Sequence, residues 1–415
     1  MKKKVLIIGN SAKEYALARK LAETCDVFVT PKSDTTEEFA TCLDIREDSV
    51  SEILEFVLEN GIDMTIPVSH RALNTNIADI FTSHNLPIFA PNSLAYKSIF
   101  DKAGVKKLLY KLRIPTPKFG IFEKQNMVND YIKNLKSPFV IKNNSPNSAI
   151  VFTSPQSAKN IIDSLFAEKN QKLIIEDYIW GTPFSFYTVT DGYKAIPIGS
   201  SITYKHSLEG DGGQLTSGMG ACVPNYKLSI DNECFLMNNV IYPILDYLEA
   251  NKTPYLGILG INGILSEDGN IQILGFQSFM QDCDASAVLE LIETDLFTLL
   301  ESCTLGTFSD EVEFIPQKEA SATALVLQCK NKENNNNTIS GLELLDESTK
   351  IDFFNTVHKN KYLEFEANSG SVVVLTSFAR TTTSSTQKVY EEAECIEFKG
   401  LHYRKDICKP QRTTI

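Results

Sequence analysis

The sequence has no long apolar segment. Nowhere do about 18 apolar residues follow one another, the length that a membrane-spanning helix needs. The basic start, Met1–Lys4, precedes only four apolar residues, Val5–Ile8, whereas the apolar part of a secretory signal peptide has about 7–15. We therefore expect a cytoplasmic protein that does not bind membranes, and we interpret Val5–Ile8 as a buried strand.

Metal-binding and cross-linking patterns are also scarce. The five histidines include no i, i+4 pair, and the nine cysteines, scattered from Cys25 to Cys408, include no Cys-x-x-Cys pair. These spacings argue against a zinc site and a disulfide framework, so we expect reduced thiols. Basic residues are also outnumbered by acidic ones, since the sequence has 40 Lys and Arg but 52 Asp and Glu. The resulting net charge of −12 argues against nucleic-acid partners.

The 415 residues correspond to two or three domains, and the first hundred alternate strand and helix patterns. The apolar runs that we interpret as strands are Val5–Ile8, Val27–Val29, Ile62–Val68 and Leu86–Ala90. Helical patterns separate them at 11–22, 50–60 and 73–82, and Gly61 stands where a C-terminal cap belongs. This order predicts βαβ units and a parallel sheet. Gly9 stands where the dinucleotide-binding pattern Gly-x-Gly-x-x-Gly begins, but the second and third glycines are missing, which disfavours an NAD site.

Two closely spaced prolines, Pro115 and Pro117, follow a helical pattern and indicate a domain edge. The strands predicted beyond them are 138–142, 172–177, 184–190, 255–265 and 270–276, the last two joined by a hairpin turn at 267–269. The Gly- and Ser-rich segment Tyr204–Asn225 is interpreted as a loop. A long helix is predicted over 231–248, despite Pro243.

Several segments, in order along nearly the whole chain, resemble the phosphoribosylamine–glycine ligase family, ATP-grasp enzymes of purine biosynthesis. Lys4–Asn10 followed by Glu14 is similar to the start of that family. Thr216–Ala221 is close to its Thr-Gly-Gly-Met-Gly-Ala motif, Tyr255–Leu265 to its core strands and Tyr403–Ile407 to its C-terminal signature. Each motif is weak alone, whereas the ordered set is specific for the family.

The resemblance implies a mixed fold class, α/β and α+β. It comprises a parallel-sheet pre-ATP-grasp domain, a two-lobed ATP-grasp domain and a small β-rich C-terminal domain. We place these at 1–100, 101–310 (with a small lobe at about 117–192) and 316–408, followed by a disordered tail, 409–415. The implied reaction phosphorylates the carboxylate of glycine with ATP, and the amine of phosphoribosylamine then attacks the acyl phosphate. The implied partners are a nucleotide and these small substrates, and a monomer or weak dimer is expected.

Carried onto this sequence, the resemblance proposes roles for individual residues. Lys102 and Lys142 would contact the nucleotide phosphates, and Glu176 and Ile179 would form the adenine hinge. Lys205, Gly218, Met219 and Gly220 would line the substrate region, with Asp211 and Asp282 as catalytic residues. The alternatives are ordinary surface lysines, a solvated acid at a strand end and a plain flexible loop.

Several positions depart from the family pattern where the chemistry takes place. The strand expected to end in the magnesium ligands Glu-x-Asn reads Gly275-Phe276-Gln277, and Phe279 replaces an arginine. The stretch 143–151, where the family has a glycine-rich flap with a lysine, contains neither residue type. His70 stands in place of an acid.

These departures leave three hypotheses open. We assign no metal ligand and question the Mg²⁺ that accompanies ATP in the family. In the first hypothesis, the chain is a phosphoribosylamine–glycine ligase in which Asp282, Asp284 or Glu267 compensates for the replaced residues. In the second, it is a diverged ligase for another carboxylate and amine. In the third, it is an inactive regulatory or scaffold protein.

Overall fold

The computed structural model describes residues 2–135, 138–145, 148–167, 172–307, 320–330 and 337–409. The predicted start of the C-terminal domain at 316, most of the asparagine-rich run 330–338, the tail beyond 409 and the middle of the stretch 143–151 lie outside these residues. Among the helices in these ranges, none combines the length and the apolar character needed to cross a membrane.

The first hundred residues form a parallel sheet between two layers of helices. Its strands, in the order β3-β2-β1-β4, are β1 (Lys4–Ile8), β2 (Asp26–Thr30), β3 (Thr41–Cys42) and β4 (Met64–Pro67). The helices are α1 (Ala12–Ala22), α2 (Val50–Asn60), α3 (His70–Leu73), α4 (Ile77–Ser83) and α5 (Ser93–Phe100). Gly61 caps α2 with φ +60°, a left-handed conformation that favours glycine.

Two predicted elements of this unit differ in the structure. The helix predicted over 73–82 is divided, because the Thr75 hydroxyl donates to the carbonyl of Ala72 and accepts from the amide of Ile77. The strand predicted at Leu86–Ala90 is reduced to a single bridge between Ile88 and Thr65. Pro87 within it has no N–H to contribute to a longer ladder.

A second, smaller unit follows α6 (Lys102–Lys111). Its antiparallel strands, in the order β5-β8-β6-β7, are β5 (Phe119–Phe122), β6 (Phe139–Lys142), β7 (Ile150–Phe152) and β8 (Leu173–Asp177). Helices α7 (Gln125–Ile132) and α8 (Pro155–Ala167) share a core with this sheet. It occupies part of the range predicted for the small lobe.

The remaining long strands form one large antiparallel sheet. Its first five strands are β9 (Gly181–Asp191), β10 (Ala195–Leu208), β11 (Gly212–Val223), β12 (Leu256–Ser266) and β13 (Ile271–Gln277). The strands from the C-terminal part are β14 (Ser321–Cys329), β15 (Lys350–Phe353), β16 (Val357–Lys359), β17 (Phe365–Ala367), β18 (Gly370–Ala379) and β19 (Leu401–His402). The order is β13-β12-β9-β10-β11-β14-β18-β15, with β19 beside β14, while β16 and β17 pair separately. The prediction of the fold class is confirmed.

The helices of this region are α9 (Ile230–Leu236), α10 (Tyr242–Ala250), α11 (Asp282–Leu291), α12 (Leu296–Thr304) and α13 (Thr382–Ala393). A π-helical turn, Met237–Ile241, joins α9 to α10 and precedes Pro243, which lies in the first turn of α10. The missing N–H of a proline is tolerated there. The prediction of one long helix is therefore correct in extent but not in its uniform geometry.

The segment Tyr204–Asn225 is not a loop, as predicted, but mostly the β10–β11 hairpin. The register of the hairpin shifts near His206, in a segment whose sequence lacks the alternation of apolar and polar residues that is usual in strands. The structure also joins Cys222 of β11 to Cys408 in a disulfide, with Cα atoms 6.0 Å apart. The expectation of reduced thiols is wrong for this pair, since residues 186 positions apart meet only in the folded chain.

Helix α11 holds the N-terminal unit against the large sheet. One buried apolar cluster combines Leu17 of α1, Val288 of α11, Tyr187 of β9 and Val326 of β14. Because α1 and α11 pack together, the amino end of each lies beside that of the other. This packing brings residues from distant parts of the chain together.

Candidate functional site

Two lysines converge on a single buried carboxylate between α6 and the small sheet. The Nζ atom of Lys106 lies 3.0 Å from Oε1 of Glu176, and that of Lys142 lies 2.8 Å from Oε2. Glu176 and Lys106 are almost fully buried, whereas Lys142 is 11% exposed. Lys142 thus ends β6 with its ammonium available to a ligand on one side and fixed by Glu176 on the other.

The sequence analysis missed Lys106. Its Nζ also donates to the hydroxyl of Thr116 at 2.6 Å, and this hydroxyl donates to the carbonyl of Ile273 at 2.8 Å. A signal was present, since Lys106 stands three positions after Ala103 and three before Leu109, on the apolar face of α6. A lysine on such a face requires a buried partner.

Lys102 lies one turn before Lys106 and contacts Ser145 and Ser148. Its ammonium donates to the carbonyl of Ser145 and to the hydroxyl of Ser148, the latter at 3.1 Å. The side chain of Asn143 accepts from the amide of Ser145 at 2.9 Å, so a side-chain hydrogen bond shapes the backbone directly after β6.

Burial and mutual repulsion act on these lysines. Burial lowers the pKa of Lys102 to about 8; the nearby Lys142 ammonium lowers it further, and Glu176 opposes the change. Burial also lowers the pKa of Lys106, against the opposing effect of Glu176. A cluster of cations that repel one another in a cleft is suited to receiving an anion.

The segment that follows β8 forms the hinge between the two sheets. Ile179 is half-buried between Tyr178 and Trp180, whose rings meet edge to face with centroids 4.8 Å apart. Trp180 is 68% exposed and is the sole tryptophan of the sequence. The hinge therefore carries a natural fluorescent reporter close to Glu176.

A group of amide side chains occupies the end of β13. Gly275 is opposite Asn262 of β12 in register, and Gln277 lies on the same face two residues later. Oδ1 of Asn262 accepts from Nε2 of Gln277 at 2.5 Å, from Ser185 Oγ at 3.2 Å and from Lys205 Nζ at 3.4 Å. A Cβ placed on Gly275 would meet no atom within 4 Å. The missing side chain thus leaves open space beside neutral amides and a lysine.

Asp282 and Asp284 point to other partners. Oδ1 of Asp282 accepts from the hydroxyl of Ser11 at 2.5 Å and from the amide of Lys13 at 3.2 Å, at the amino end of α1. Asp284 is fully buried and accepts from Tyr187 at 2.5 Å and from Thr203 at 3.0 Å. Burial raises the pKa of Asp284, although these hydrogen bonds oppose the change. Within the described ranges, neither carboxylate forms a hydrogen bond with the amide side chains beside Gly275, and Glu267 is exposed in the β12–β13 turn.

Asp211 contacts the C-terminal segment. Its Oδ1 lies 3.0 Å from Nη1 of the fully buried Arg404, which also forms two 2.7 Å hydrogen bonds with Asp406. The catalytic role of Asp211 stays a prediction; in the structure its carboxylate forms an ion pair with Arg404.

The Gly-Met-Gly residues lie within β11. Met219 is fully buried, a Cβ on Gly218 would lie 2.7 Å from Sγ of Cys283, and one on Gly220 would lie 2.7 Å from the carbonyl of Ala324. Close packing against α11 and β14 accounts for both glycines. Lys205, on the neighbouring β10, is the member of the predicted substrate region that reaches the amide group.

His70 begins α3 beside the same cleft. Its Nδ1 lies 2.6 Å from the hydroxyl of Tyr96, and its ring lies 4.5 Å from that of Phe100. Partial burial of the ring and the ammonium groups of Lys13 and Lys102 lower the pKa of His70 to about 4. A neutral imidazole therefore occupies the position where the family pattern has an acid.

A parallel-sheet unit, a small antiparallel lobe and a large antiparallel sheet, with lysines at the contact between the lobes, define an ATP-grasp protein. Two family models match the chain: phosphoribosylglycinamide synthetase, N domain, over residues 3–97, and phosphoribosylglycinamide synthetase, ATP-grasp (A) domain, over residues 100–285. The chain belongs to the phosphoribosylamine–glycine ligase family, as the sequence motifs predicted.

Individual relatives cover nearly the whole chain. A phosphoribosylamine–glycine ligase of Fusobacterium nucleatum is 27% identical over 97% of this chain and 98% of its own length. The crystal structure of the phosphoribosylamine–glycine ligase from Thermotoga maritima covers 98% of this chain and 100% of its own, with TM-score 0.82 and 20% identity. The biotin carboxylase domain of 2-oxoglutarate carboxylase from Hydrogenobacter thermophilus, solved with ADP magnesium salt and bicarbonate, has TM-score 0.72 and 14% identity. It covers 97% of this chain and 92% of its own.

The Mg²⁺ that the family implies does not fit the donor set beside Gly275. Mg²⁺ is held in proteins by carboxylates together with water and substrate phosphates. Within the described part of the chain, no group of three or more His, Cys, Asp or Glu residues has the arrangement to hold a metal ion.

Proposed function

We propose that the chain binds an adenine nucleotide in the cleft between the small sheet and the large sheet. Lys102 and Lys142 would neutralise the phosphates, Lys106 would help to hold Glu176, and residues 176–179 would contact the base. The observation that carries the proposal is the convergence of Lys106 and Lys142 on the buried Glu176. Because Glu176 holds both ammonium groups in place, Lys142 is preorganised for a phosphate.

We further propose the division of the chain into 1–100, 101–310 and 316–408, with the cleft in the middle region. Lys102, Lys142, Glu176, Ile179 and Lys205 keep their predicted roles as contacts of nucleotide or substrate. Gly218, Met219 and Gly220 would act through the packing of β11, and Asp282 through the amino end of α1.

For the chemistry, we propose that the carboxylate-activating step implied by the family resemblance has been lost or altered. The open space at Gly275 and the neutral amides beside it support this reading, because one missing charge-stabilising donor reduces a rate by about 10²–10³. The alternative is the ligase reaction itself, with glycine and phosphoribosylamine as substrates. The retained Lys205, partly buried at the cleft, favours that alternative.

Two measurements test these proposals. Addition of ATP or ADP should change the fluorescence of Trp180 or raise the melting temperature. Lys142→Ala should raise the dissociation constant for the nucleotide about tenfold or more. The matched control is Lys133→Ala, which removes an ion-paired lysine on the exposed surface of the same lobe. Absence of any response in the unmodified chain would refute the nucleotide site.

The second measurement is ADP release in the presence of glycine and phosphoribosylamine. We expect none above the background of the Lys142→Ala variant. Turnover that Lys142→Ala abolishes would establish the ligase alternative.

A further inference from the structure

The charged side chain that contacts the amide opposite Gly275 is a lysine, not a carboxylate. Lys205 Nζ lies 3.4 Å from Oδ1 of Asn262, the residue opposite Gly275. Lys205 lies near the buried carboxylate of Asp284, and the charge of Lys142 acts on both Lys102 and Lys205, so the three ammonium groups lie within electrostatic range of one another. The field that an incoming polyphosphate meets here comes from fixed lysines.

The neutral oxygens beside Gly275 are already engaged by donors. Oδ1 of Asn262 accepts from three groups, and Oε1 of Gln277 accepts from Nε2 of Gln281 at 2.6 Å. An amide oxygen has two lone pairs, so Asn262 has none to spare for a cation. A dication placed there would lose its water without gaining a carboxylate and would be repelled by Lys205.

We propose that this chain binds its nucleotide free of divalent metal, with the ammonium groups of Lys102, Lys142 and Lys205 in the charge-neutralising role of Mg²⁺. The inference rests on the proposed nucleotide site and specifies its ligand as the unchelated polyphosphate form of ATP or ADP. A bound Mg²⁺ ion offsets two of the negative charges of the polyphosphate, and the complex is therefore attracted less strongly to the lysines. Mg²⁺ should therefore act as a competitor for the ligand.

The experiment compares the affinity for ATP in excess EDTA with that in saturating Mg²⁺, at equal ionic strength, through the fluorescence of Trp180 or by calorimetry. We expect binding in EDTA and a dissociation constant about tenfold higher with Mg²⁺. Binding that requires Mg²⁺, or is tighter with it, overturns this inference while the proposed nucleotide site stands. Absence of binding under both conditions overturns the proposed site itself.

Two pairs of variants test the residues. Lys205→Met should weaken ATP binding in EDTA about tenfold, whereas Lys194→Met, an exposed lysine before β10, should leave it unchanged. Gly275→Glu should invert the preference so that Mg²⁺ strengthens binding, because the open space accepts the side chain and restores a carboxylate. Gly275→Gln has nearly the same volume without the charge, and its preference should remain that of the parent chain.

Suppose that Gly275→Glu and Gly275→Gln have equal melting temperatures, and that Gly275→Glu still binds ATP more tightly without Mg²⁺. That result would contradict the inference that the family's metal is lost because Gly275 lacks a carboxylate. Should the glutamate variant fail to fold, Lys205→Met and its control decide the matter independently. Equal effects of Lys205→Met and Lys194→Met would contradict the role of Lys205.

Discussion

The ammonium of Lys106 lies 3.0 Å from the carboxylate of Glu176, and the two side chains are 1% and 2% exposed. Lys142 approaches the second oxygen of the same carboxylate, so one negative charge holds two positive ones in the interior. Buried charges are tolerated only when they are paired, and the removal of one partner leaves the others unpaired. The triad therefore serves both the stability of the protein and the placement of Lys142.

We predict that Glu176→Gln destabilises the protein by roughly 3–5 kcal/mol, because two lysines lose their counter-charge in a buried place. Urea denaturation measures the effect. The control is Asp130→Asn, which breaks the exposed Lys133–Asp130 pair and should change stability by no more than about 1 kcal/mol. Similar losses for the two variants would show that the triad is not energetically important.

Lys102 gives nucleotide binding a pH dependence. Its pKa is lowered to about 8, chiefly by burial, so the side chain is charged below this pH and neutral above it. We predict that the affinity for ATP falls about tenfold between pH 7 and pH 9. Lys102→Arg, which stays protonated throughout, should lessen the pH dependence, and the remainder is expected from Lys106, whose pKa burial also lowers. Lys97→Arg, an exposed substitution on α5, should keep the parental profile, and a pH-independent parent would refute the role of Lys102.

Glu14 should make the protein less stable in alkaline solution. Burial, with a smaller contribution from Asp282, raises its pKa from 4.5 to about 7. A group whose pKa is raised in the folded state contributes stability at low pH, and this contribution is lost as the pH rises through the folded value. The predicted loss between pH 5 and pH 8 is about 3 kcal/mol.

Glu14→Gln should remove most of that loss, because an amide oxygen still accepts from the amide of Ser11 without carrying charge. Melting temperatures at pH 5 and pH 8 provide the measurement, with the exposed Glu55→Gln as the comparison. If both variants follow the parental pH dependence, the titrating group lies elsewhere.

Arg404 should be sensitive even to conservative replacement. Its guanidinium is fully buried, binds Asp406 through two nitrogens and also reaches Asp211. We predict that Arg404→Met destabilises by roughly 3–5 kcal/mol and that Arg404→Lys loses a substantial part of this, since an ammonium cannot reproduce the fork. Chemical denaturation tests both. Arg46→Lys, in the exposed pair with Asp48, should have little effect, and an equally mild Arg404→Lys would contradict the prediction.

The sequence was informative where structure is local. The apolar spacing of 50–58 with Gly61 predicted α2 and its cap, and Glu267–Gly269 predicted the turn between β12 and β13. The β10–β11 hairpin was missed, because its pairing partners include β14, about a hundred residues away. A strand whose glycines pack against distant elements has the composition of a loop when it is examined alone.

The candidate site shows the same division. Lys142 and Glu176 were recognised from strand ends and family resemblance, and the structure places them in contact. Lys106 required knowledge of what faces α6, and the contacts of Asp211 and Asp282 with Arg404 and Ser11 span 193 and 271 positions. Such long-range partners depend on the packing of whole elements, which residue patterns do not specify.

The pairing of β11 with β14, from Gly220 opposite Leu325 to Val223 opposite Ala322, has a practical consequence for shortened forms of the protein. A polypeptide ending near residue 307 would present the outer side of β11 as a row of unsatisfied peptide groups. Exposed edges of this kind recruit strands from other molecules. Isolated amino-terminal fragments should accordingly self-associate in solution, and their behaviour should not be taken as that of the intact polypeptide.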